Sequence, residues 1–421
     1  MAIPAYSTAL RVASRIRFGP QRVVASLQGR EGAARRWSEW ANQHRTDTPL
    51  VWIHGASVGE LASIDPVVRR LRQLKPECQI ILTHTSSSVE SWTPRWNAER
   101  VDYMPMDDER STETTFAALR PSLLVFSRGD VWPTHVDVAT NSDVPTVIIG
   151  GQVSPGSNRL AWPVRNLCEH IYQKLTFVAA TDGENAERYH RLGVDPSAID
   201  VIGDPRHDHV LERITQLRDL PIGVFQAPTR HTLIGGSTDA FDADLLLKAA
   251  RGMRDSAPML LVIAPHEPDA RTVKQLAHRA ARMGFRSAFL SELSDATDEV
   301  QCVIVDRMGV LFDLYAFADS AYIGGGFRKR RLHSVIEPAA YGVPVIVGPH
   351  WKRFADAQSM VENGGVVALE TRDPIDSLKR ELVRLIEDPG YRWHRGLSAR
   401  RTLLGGAADR AAEIVLRYLL R

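Results

Sequence analysis

From about residue 48 onward, short apolar runs alternate with amphipathic stretches. The runs Leu50–His54, Gln79–Thr83, Leu123–Phe126, Thr146–Ile149 and Phe177–Ala180 read as buried strands. Between them, Leu61–Leu74 and Glu184–Leu192 carry a helical period. Such alternation predicts βαβ units and a parallel sheet. Asp219–Thr229, with Pro221 and Pro228, has no helical period and few charges, and is the expected linker. A second series follows, with strands expected at Thr232–Gly236, Leu260–Ala264, Cys302–Val305, Ser320–Gly324 and Pro344–Val347. Helical patterns start at Phe241, Asp269, Ser334, Phe354 and Pro374, and about the last fifty residues read as helix. The expected fold class is therefore α/β, with two doubly wound Rossmann-like domains facing each other across a cleft. Their expected bounds are 48–220 and 221–421, with the last helices packing back on the first domain. Ligands of such sheets sit at the carboxyl ends of the strands.

Length agrees with two domains, since 421 residues exceed one ordinary core. The chain is 44% hydrophobic and 24% charged, the profile of a soluble globular protein. A formal net charge of +2 gives no argument for nucleic acid as a partner. Cys78, Cys168 and Cys302 are far apart, fit no metal or redox spacing, and read as reduced cysteines of a cytosolic protein. No apolar run reaches the roughly 18 residues of a membrane span, and the N-terminus lacks the apolar core of a secretory signal. Charge is biased locally, however. Residues 1–45 hold eight arginines (Arg11, Arg15, Arg17, Arg22, Arg30, Arg35, Arg36 and Arg45) against Glu31 and Glu39. Residues 1–47 are thus expected as a basic arm, either simply solvated or drawn to an anionic membrane surface.

Two segments carry most of the chemistry. In Val51–Glu60 an apolar strand runs into His54, Gly55, Ala56, Ser57, Val58, Gly59 and Glu60, and a helix pattern starts at Leu61. Small residues at a strand–helix junction let backbone N–H groups approach a ligand, and the helix start favours an anion. Glu60 then stands in the first turn as a candidate base; alternatively it closes a capping box with Ser57. In Ile323–Pro338, Gly324, Gly325 and Gly326 end a strand, the basic run Arg328–Arg331 follows, and His333 and Ser334 lead into a helix bearing Glu337. Glycines there permit close approach of a ligand, the helix start can bind phosphate, and Glu337 can accept sugar hydroxyls. The alternatives are a glycine turn with a capped helix, and a solvated basic loop.

A third group ends strands of the second half. Ser237 and Thr238 follow Leu233–Gly236, while Pro265, His266 and Glu267 follow Leu260–Ala264. Ser237 and Thr238 suit phosphate, and equally suit capping the helix that begins near Ala240. His266 is a candidate for base or phosphate contact, or a structural histidine. No matching ligand set makes a metal site of Gly203–Asp208, and Ser57 lies in no nucleophile elbow.

An ordered series of segments resembles the bacterial 3-deoxy-D-manno-octulosonic acid (Kdo) transferases, lipid A glycosyltransferases. The markers are residues 54–60 (HGASVGE), 103–107 (YMPMD), 131–133 (VWP), 201–208 (VIGDPRHD), 235–239 (GGSTD), 263–269 (IAPHEPD), 314–327 (LYAFADSAYIGGGF) and 333–349 (HSVIEPAAYGVPVIVGP). The resemblance covers about residues 48–370. It implies a GT-B fold, CMP-Kdo as donor, a lipid A precursor as acceptor, inversion, no metal or other cofactor, and a peripheral place at the cytoplasmic face of the inner membrane. The family's catalytic glutamate falls on Glu60. Ser57, Val58, Gly59, Asp130 and Arg206 fall on the acceptor side. Ser237, Thr238, Pro265, His266, Met308, Gly309, Gly325, Gly326, His333, Ser334 and Glu337 fall on the donor side.

The chain departs from the family at several positions. Arg128 and Asp130 stand where the family usually has an acidic pair, and Arg206 stands for a lysine. His333-Ser334 replaces a His-Asn pair, His266-Glu267 an Arg-His pair, and Gly309-Val310 a Gly-Glu pair. The family's N-terminal anchor is represented by the basic arm alone. Two other functions follow from these departures: a GT-B transferase with a different nucleotide sugar or acceptor, or a non-catalytic nucleotide-sugar-binding relative.

Overall fold

The computed structural model describes residues 21–90, 96–216, 225, 230–293, 300–329 and 331–420. Apart from Phe225, the expected linker lies outside them, as do Arg330 of the basic run and Arg11, Arg15 and Arg17 of the arm. The chain forms two compact units, Met1–His209 with Leu404–Arg421, and Val210–Leu403.

The first unit holds a seven-stranded sheet of β1 (Leu50–His54), β2 (Gln79–His84), β3 (Arg100–Tyr103), β4 (Leu123–Ser127), β5 (Thr146–Gly151), β6 (Phe177–Ala180) and β7 (Ile199–Val201). Every pairing is parallel, in the order β3-β2-β1-β4-β5-β6-β7. The second unit repeats the plan with β8 (His231–Thr238), β9 (Met259–Pro265), β10 (Ser287–Phe289), β11 (Cys302–Ile304), β12 (Ser320–Ile323), β13 (Val345–Val347) and β14 (Val366–Ala368). Its order is β10-β11-β9-β8-β12-β13-β14, again parallel throughout. In each sheet the strand order reverses beside the first strand, between β1 and β4 and between β8 and β12. Those are the switch points where doubly wound sheets bind ligands. Central strands such as β1, β2 and β9 are buried along their whole length, as sheets covered on both faces require.

The strands absent from the sequence reading are β3, β7, β10 and β14, the four edge strands. Each has a single neighbour and is partly exposed, so its composition is mixed and the apolar signal disappears.

The basic arm needs correction. Its described part forms helices Gln21–Arg30 and Ala33–His44, and Trp37 and Trp40 are buried in the first unit's core. Three of its arginines turn inward. Arg30 donates to the carbonyls of Met104 and Pro105, Arg36 grips Asp102 with two nitrogens, and Arg45 bonds the Leu119 carbonyl. A pair of tryptophans outweighs the charge in deciding where these helices lie, because each buries a large apolar area.

The closing helices divide between the two units, and the last of them packs back on the first as expected. Pro374–Glu387 and Pro389–Arg401 stay with the second unit, while Ala407–Leu419 belongs to the first. Its small apolar face, including Ala411, Ala412 and Val415, packs in one cluster with Ile64, Val67 and Leu71. Asp208 holds its start, accepting the N–H groups of Gly406 (2.5 Å) and Ala408 (3.0 Å). No helix among the described residues is long and apolar enough to cross a membrane.

Candidate active site

In the first unit, the site is built where β1 and β4 end. After His54 the chain turns through Gly55 and Ala56, and helix Val58–Leu74 begins. Ser57 occupies the N-cap position but makes no capping bond with its side chain. Glu60 instead reaches past it, and its Oε2 accepts the Ala56 N–H at 2.7 Å. The Ser57–Glu60 capping box is therefore absent. Burial pushes the Glu60 carboxyl above its ordinary pKa; the Ala56 bond opposes this, Asp130 adds to it, and Arg128 and His54 oppose it. A carboxyl held in that way is suited to take a proton nearer neutral pH. Gly59 lies beside it, and a Cβ there would meet nothing within 4 Å beyond its chain neighbours and its own helix's backbone. The Val58 side chain packs, partly buried, on the apolar cluster under the helix, which leaves its backbone to face the site.

Asp130, four residues beyond Phe126 of β4, shares this neighbourhood. Its Oδ2 accepts from His54 Nε2 and from Trp132 Nε1, each at 3.1 Å. His54 is fully buried, and its Nδ1 faces the Thr83 hydroxyl at 3.0 Å. Burial works to raise the Asp130 pKa, but the bonds from His54 and Trp132 carry it below the usual carboxylate range. The Arg30 guanidinium lies over the Trp132 ring, 4.2 Å from its centre. Two carboxyl groups of one small region are thus driven apart in pKa, the pattern by which acid and base roles separate.

Arg128 and Arg206 belong to one polar row. Arg128 adopts a left-handed backbone (φ +62°), fixed as its carbonyl accepts from Tyr189 Oη and the Gln152 N–H, each at 2.8 Å. Its guanidinium bonds the Gln152 side-chain oxygen. The Gln152 amide nitrogen donates to Asp204 (3.0 Å), and Arg206 donates to the same carboxylate oxygen through Nε (2.9 Å) and Nη2 (2.6 Å). Arg128 and Arg206, two of the positions that depart from the family pattern, are therefore wired together. His54, Gln152 and Asp204 are site residues the sequence reading missed. His54 was visible as the last residue of a strand that runs into the motif, and Asp204 as part of Gly203–Asp208; Gln152 gave no signal.

In the second unit, Ser237 and Thr238 end β8 and Gly325 and Gly326 follow β12, beside the switch point, while Pro265 and His266 stand at the end of β9 and Met308 and Gly309 beyond β11. Of the two glycine readings, the tight turn is the one the backbone contacts support. A Cβ on Gly324 would stand 2.3 Å from the Ser237 carbonyl oxygen, one on Gly325 2.0 Å from the Arg331 carbonyl oxygen, and one on Gly326 2.5 Å from the Gly348 nitrogen. Protein backbone, rather than ligand, fills the space these glycines leave. The capping alternative for Ser237 and Thr238 also fails. Asp239 and Asp242 form the capping box of helix Ala240–Gly252. Ser237 has a left-handed backbone (φ +51°), and the buried Thr238 hydroxyl donates to the Ala264 carbonyl at 3.3 Å.

Asp242 does more than cap. Its carboxylate accepts from Tyr322 Oη (2.6 Å), Gly325 N–H (2.9 Å) and Asp239 N–H (3.0 Å), tying the glycine turn to the helix start. His266 and His333 meet, with ring centres 4.3 Å apart. Burial, reinforced by His266 and Arg331, lowers the His333 pKa to about 4, so this imidazole is neutral at pH 7. Pro265 is buried at the end of β9, whereas the Met308 side chain is exposed and Gly309 is left-handed (φ +84°). The expected helix start at Ser334 is displaced: the helix is Ile336–Ala340, capped by Val335 without a side-chain bond. Ser334 is exposed ahead of it. Burial raises the Glu337 carboxyl, with Arg213 opposing and Asp313 adding to the rise. Among the described residues, no group of three His, Cys, Asp or Glu comes together as metal ligands would.

Residues 27–209 match the family model described as 3-deoxy-D-manno-octulosonic-acid transferase (kdotransferase). A 3-deoxy-D-manno-octulosonic acid transferase of Haemophilus influenzae is 26% identical over 417 residues, covering 94% of each chain. One of Chlamydophila psittaci is 29% identical over 334 residues, covering 76% of this chain and 75% of its own. Among solved structures, a glycosyltransferase from Rickettsia africae superimposes with a TM-score of 0.57 at 10% identity, covering 89% of this chain and all of its own. That likeness concerns the fold, which is of the GT-B class.

Proposed function

From the premise that this chain is a glycosyltransferase and a divergent relative of the Kdo transferase family, we propose that it transfers Kdo from CMP-Kdo to a lipid A precursor in lipopolysaccharide biosynthesis. The observation that carries the proposal is Glu60, a carboxylate at the switch point of the first sheet with a raised pKa and open space at Gly59 beside it. In this account Glu60 takes the proton of the acceptor hydroxyl as its oxygen forms a bond to the anomeric carbon of Kdo. The bond from that carbon to the CMP phosphate oxygen breaks with inversion, and no metal takes part. Asp130 stays ionised, held by His54 and Trp132. Its charge keeps Glu60 receptive to the proton. On the donor side, the neutral His333 and its partner His266 offer ring faces and nitrogens to the nucleotide, and the Asp242-held turn fixes their surroundings.

Incubation with CMP-Kdo and a lipid A precursor should release CMP and give a Kdo-bearing lipid. Release that requires a different nucleotide sugar would replace this donor assignment. A second acceptor reading is favoured by one observation, the Arg128–Gln152–Asp204–Arg206 row where the family pattern expects an acid at position 128. A GT-B transferase with a more anionic acceptor suits that row, and a panel of phosphorylated and dephosphorylated acceptors separates the two.

A further inference from the structure

A second basic feature lies beside the glycine turn, and none of the expected donor residues lines it. In the second unit a cavity of about 410 Å³ is lined by Lys329, Pro349, His350, Lys352 and Arg353. Two loops make it, one after β12 and one after β13. They are clamped together: the His350 N–H donates to the Gly326 carbonyl at 2.9 Å, and the backbones of Gly326 and Gly348 touch too closely for either to carry a Cβ. Basic side chains from distant parts of the sequence are therefore held around one mouth.

Arg328, the neighbour of Lys329, is engaged by Asp239 at 2.7 Å. No carboxylate pairs with Lys329, Lys352 or Arg353 among the described residues, and all three are exposed. The Lys352 ammonium rests 5.8 Å from the centre of the Trp351 ring. Like charges gathered in a concave site repel one another and raise the local potential for an anion. Three cations and an imidazole exceed the need of a single carboxylate, and an arginine fork with two ammonium groups suits the several oxygens of a phosphate.

We propose that this cavity binds a phosphate group, supplied either by a lipid headgroup or by a free phosphate or soluble phosphoester. The proposal does not rest on the Kdo reaction.

Lysine acetylation of the full chain, read residue by residue by mass spectrometry, tests it. Lys248 and Lys274, exposed on helices of the same unit, serve as internal controls. The three arms are inorganic phosphate against chloride at equal ionic strength, phosphatidylglycerol vesicles, and phosphatidylcholine vesicles. A roughly tenfold slowing at Lys329 and Lys352 in phosphate, as for a site about nine-tenths occupied, with the controls unchanged, supports a free-phosphate site. The same slowing with phosphatidylglycerol alone supports a lipid headgroup. Equal slowing of the control lysines, or no slowing in any arm, overturns the proposal. Arg353→Gln should remove most of the protection, and full protection in that variant also overturns it.

Discussion

Replacing Asp242 offers a quantitative test of how the donor-side turn is held. Its carboxylate accepts three hydrogen bonds, from Tyr322 Oη, Gly325 N–H and Asp239 N–H, and the residue is almost wholly buried. Asp242→Ala removes all three acceptors and leaves three donors facing an apolar methyl. An orphaned buried donor costs about 1–3 kcal/mol, and water entering the vacated space recovers part of that. A net loss of about 3 kcal/mol is expected. Asp242→Asn behaves differently. Its oxygen keeps the two backbone donors and only the Tyr322 hydroxyl loses its acceptor, so the loss should stay at about 1–2 kcal/mol. The pH response supplies the sign. Burial raises the Asp242 pKa above 3.8, so the folded state favours the protonated form. That stabilising contribution is full below the unfolded pKa and is lost as pH rises through the raised value. Asp242→Asn, permanently neutral, should flatten this part of the profile. Calorimetry of the full chain reads both effects. Roughly 2–4 °C of melting temperature corresponds to each kcal/mol in a domain of this size, so Asp242→Ala should melt about 6–12 °C lower in the transition of the second unit. Equal melting of the two variants would refute the argument that these bonds hold the turn.

Other substitutions separate folding from chemistry. Activity should fall on the acid side as Glu60 takes up a proton at its raised pKa, and Asp130→Asn, by removing a neighbouring negative charge, should move that limb of the pH–rate profile to lower pH. Gly59→Ala should leave the melting temperature unchanged or higher, because its Cβ meets nothing beyond its own helix and chain neighbours and alanine favours a helix by about 1 kcal/mol, while acceptor turnover drops. Gly326→Ala should do the opposite and lower the melting temperature, since its Cβ would meet the backbone of Gly348 at 2.5 Å. Asp208→Ala should cost about 1–2 kcal/mol and speed proteolysis around Gly405, because helix Ala407–Leu419 loses its cap.

Sequence periodicity located ten strands of the two sheets and left out the four at the edges. A central strand such as β9 declares itself by an unbroken apolar run, whereas β7, with Ile199, Asp200 and Val201, is short and mostly exposed. Charge misled at the N-terminus, where Trp37 and Trp40 decide the packing of helices whose arginines bond inward. Glu60 and the strand ends were legible because motifs mark them locally. The row from Arg128 to Arg206 was not, since Gln152 and Asp204 join it only when β4, β5 and the segment after β7 lie side by side. The glycines at 324–326 were legible, but sequence left a ligand approach and a glycine turn both open; the coordinates show backbone filling the space of the missing side chains.

The most direct test of the central claim is the rate of CMP release from CMP-Kdo, with lipid acceptor present, by wild type and Glu60→Ala at matched melting temperature. Glu60 accepts a backbone N–H without closing a capping box, so its loss should leave the fold standing. Turnover should fall at least about 10²-fold, the scale of a general base, with donor binding retained. A stable Glu60→Ala protein that releases CMP at the wild-type rate would contradict it.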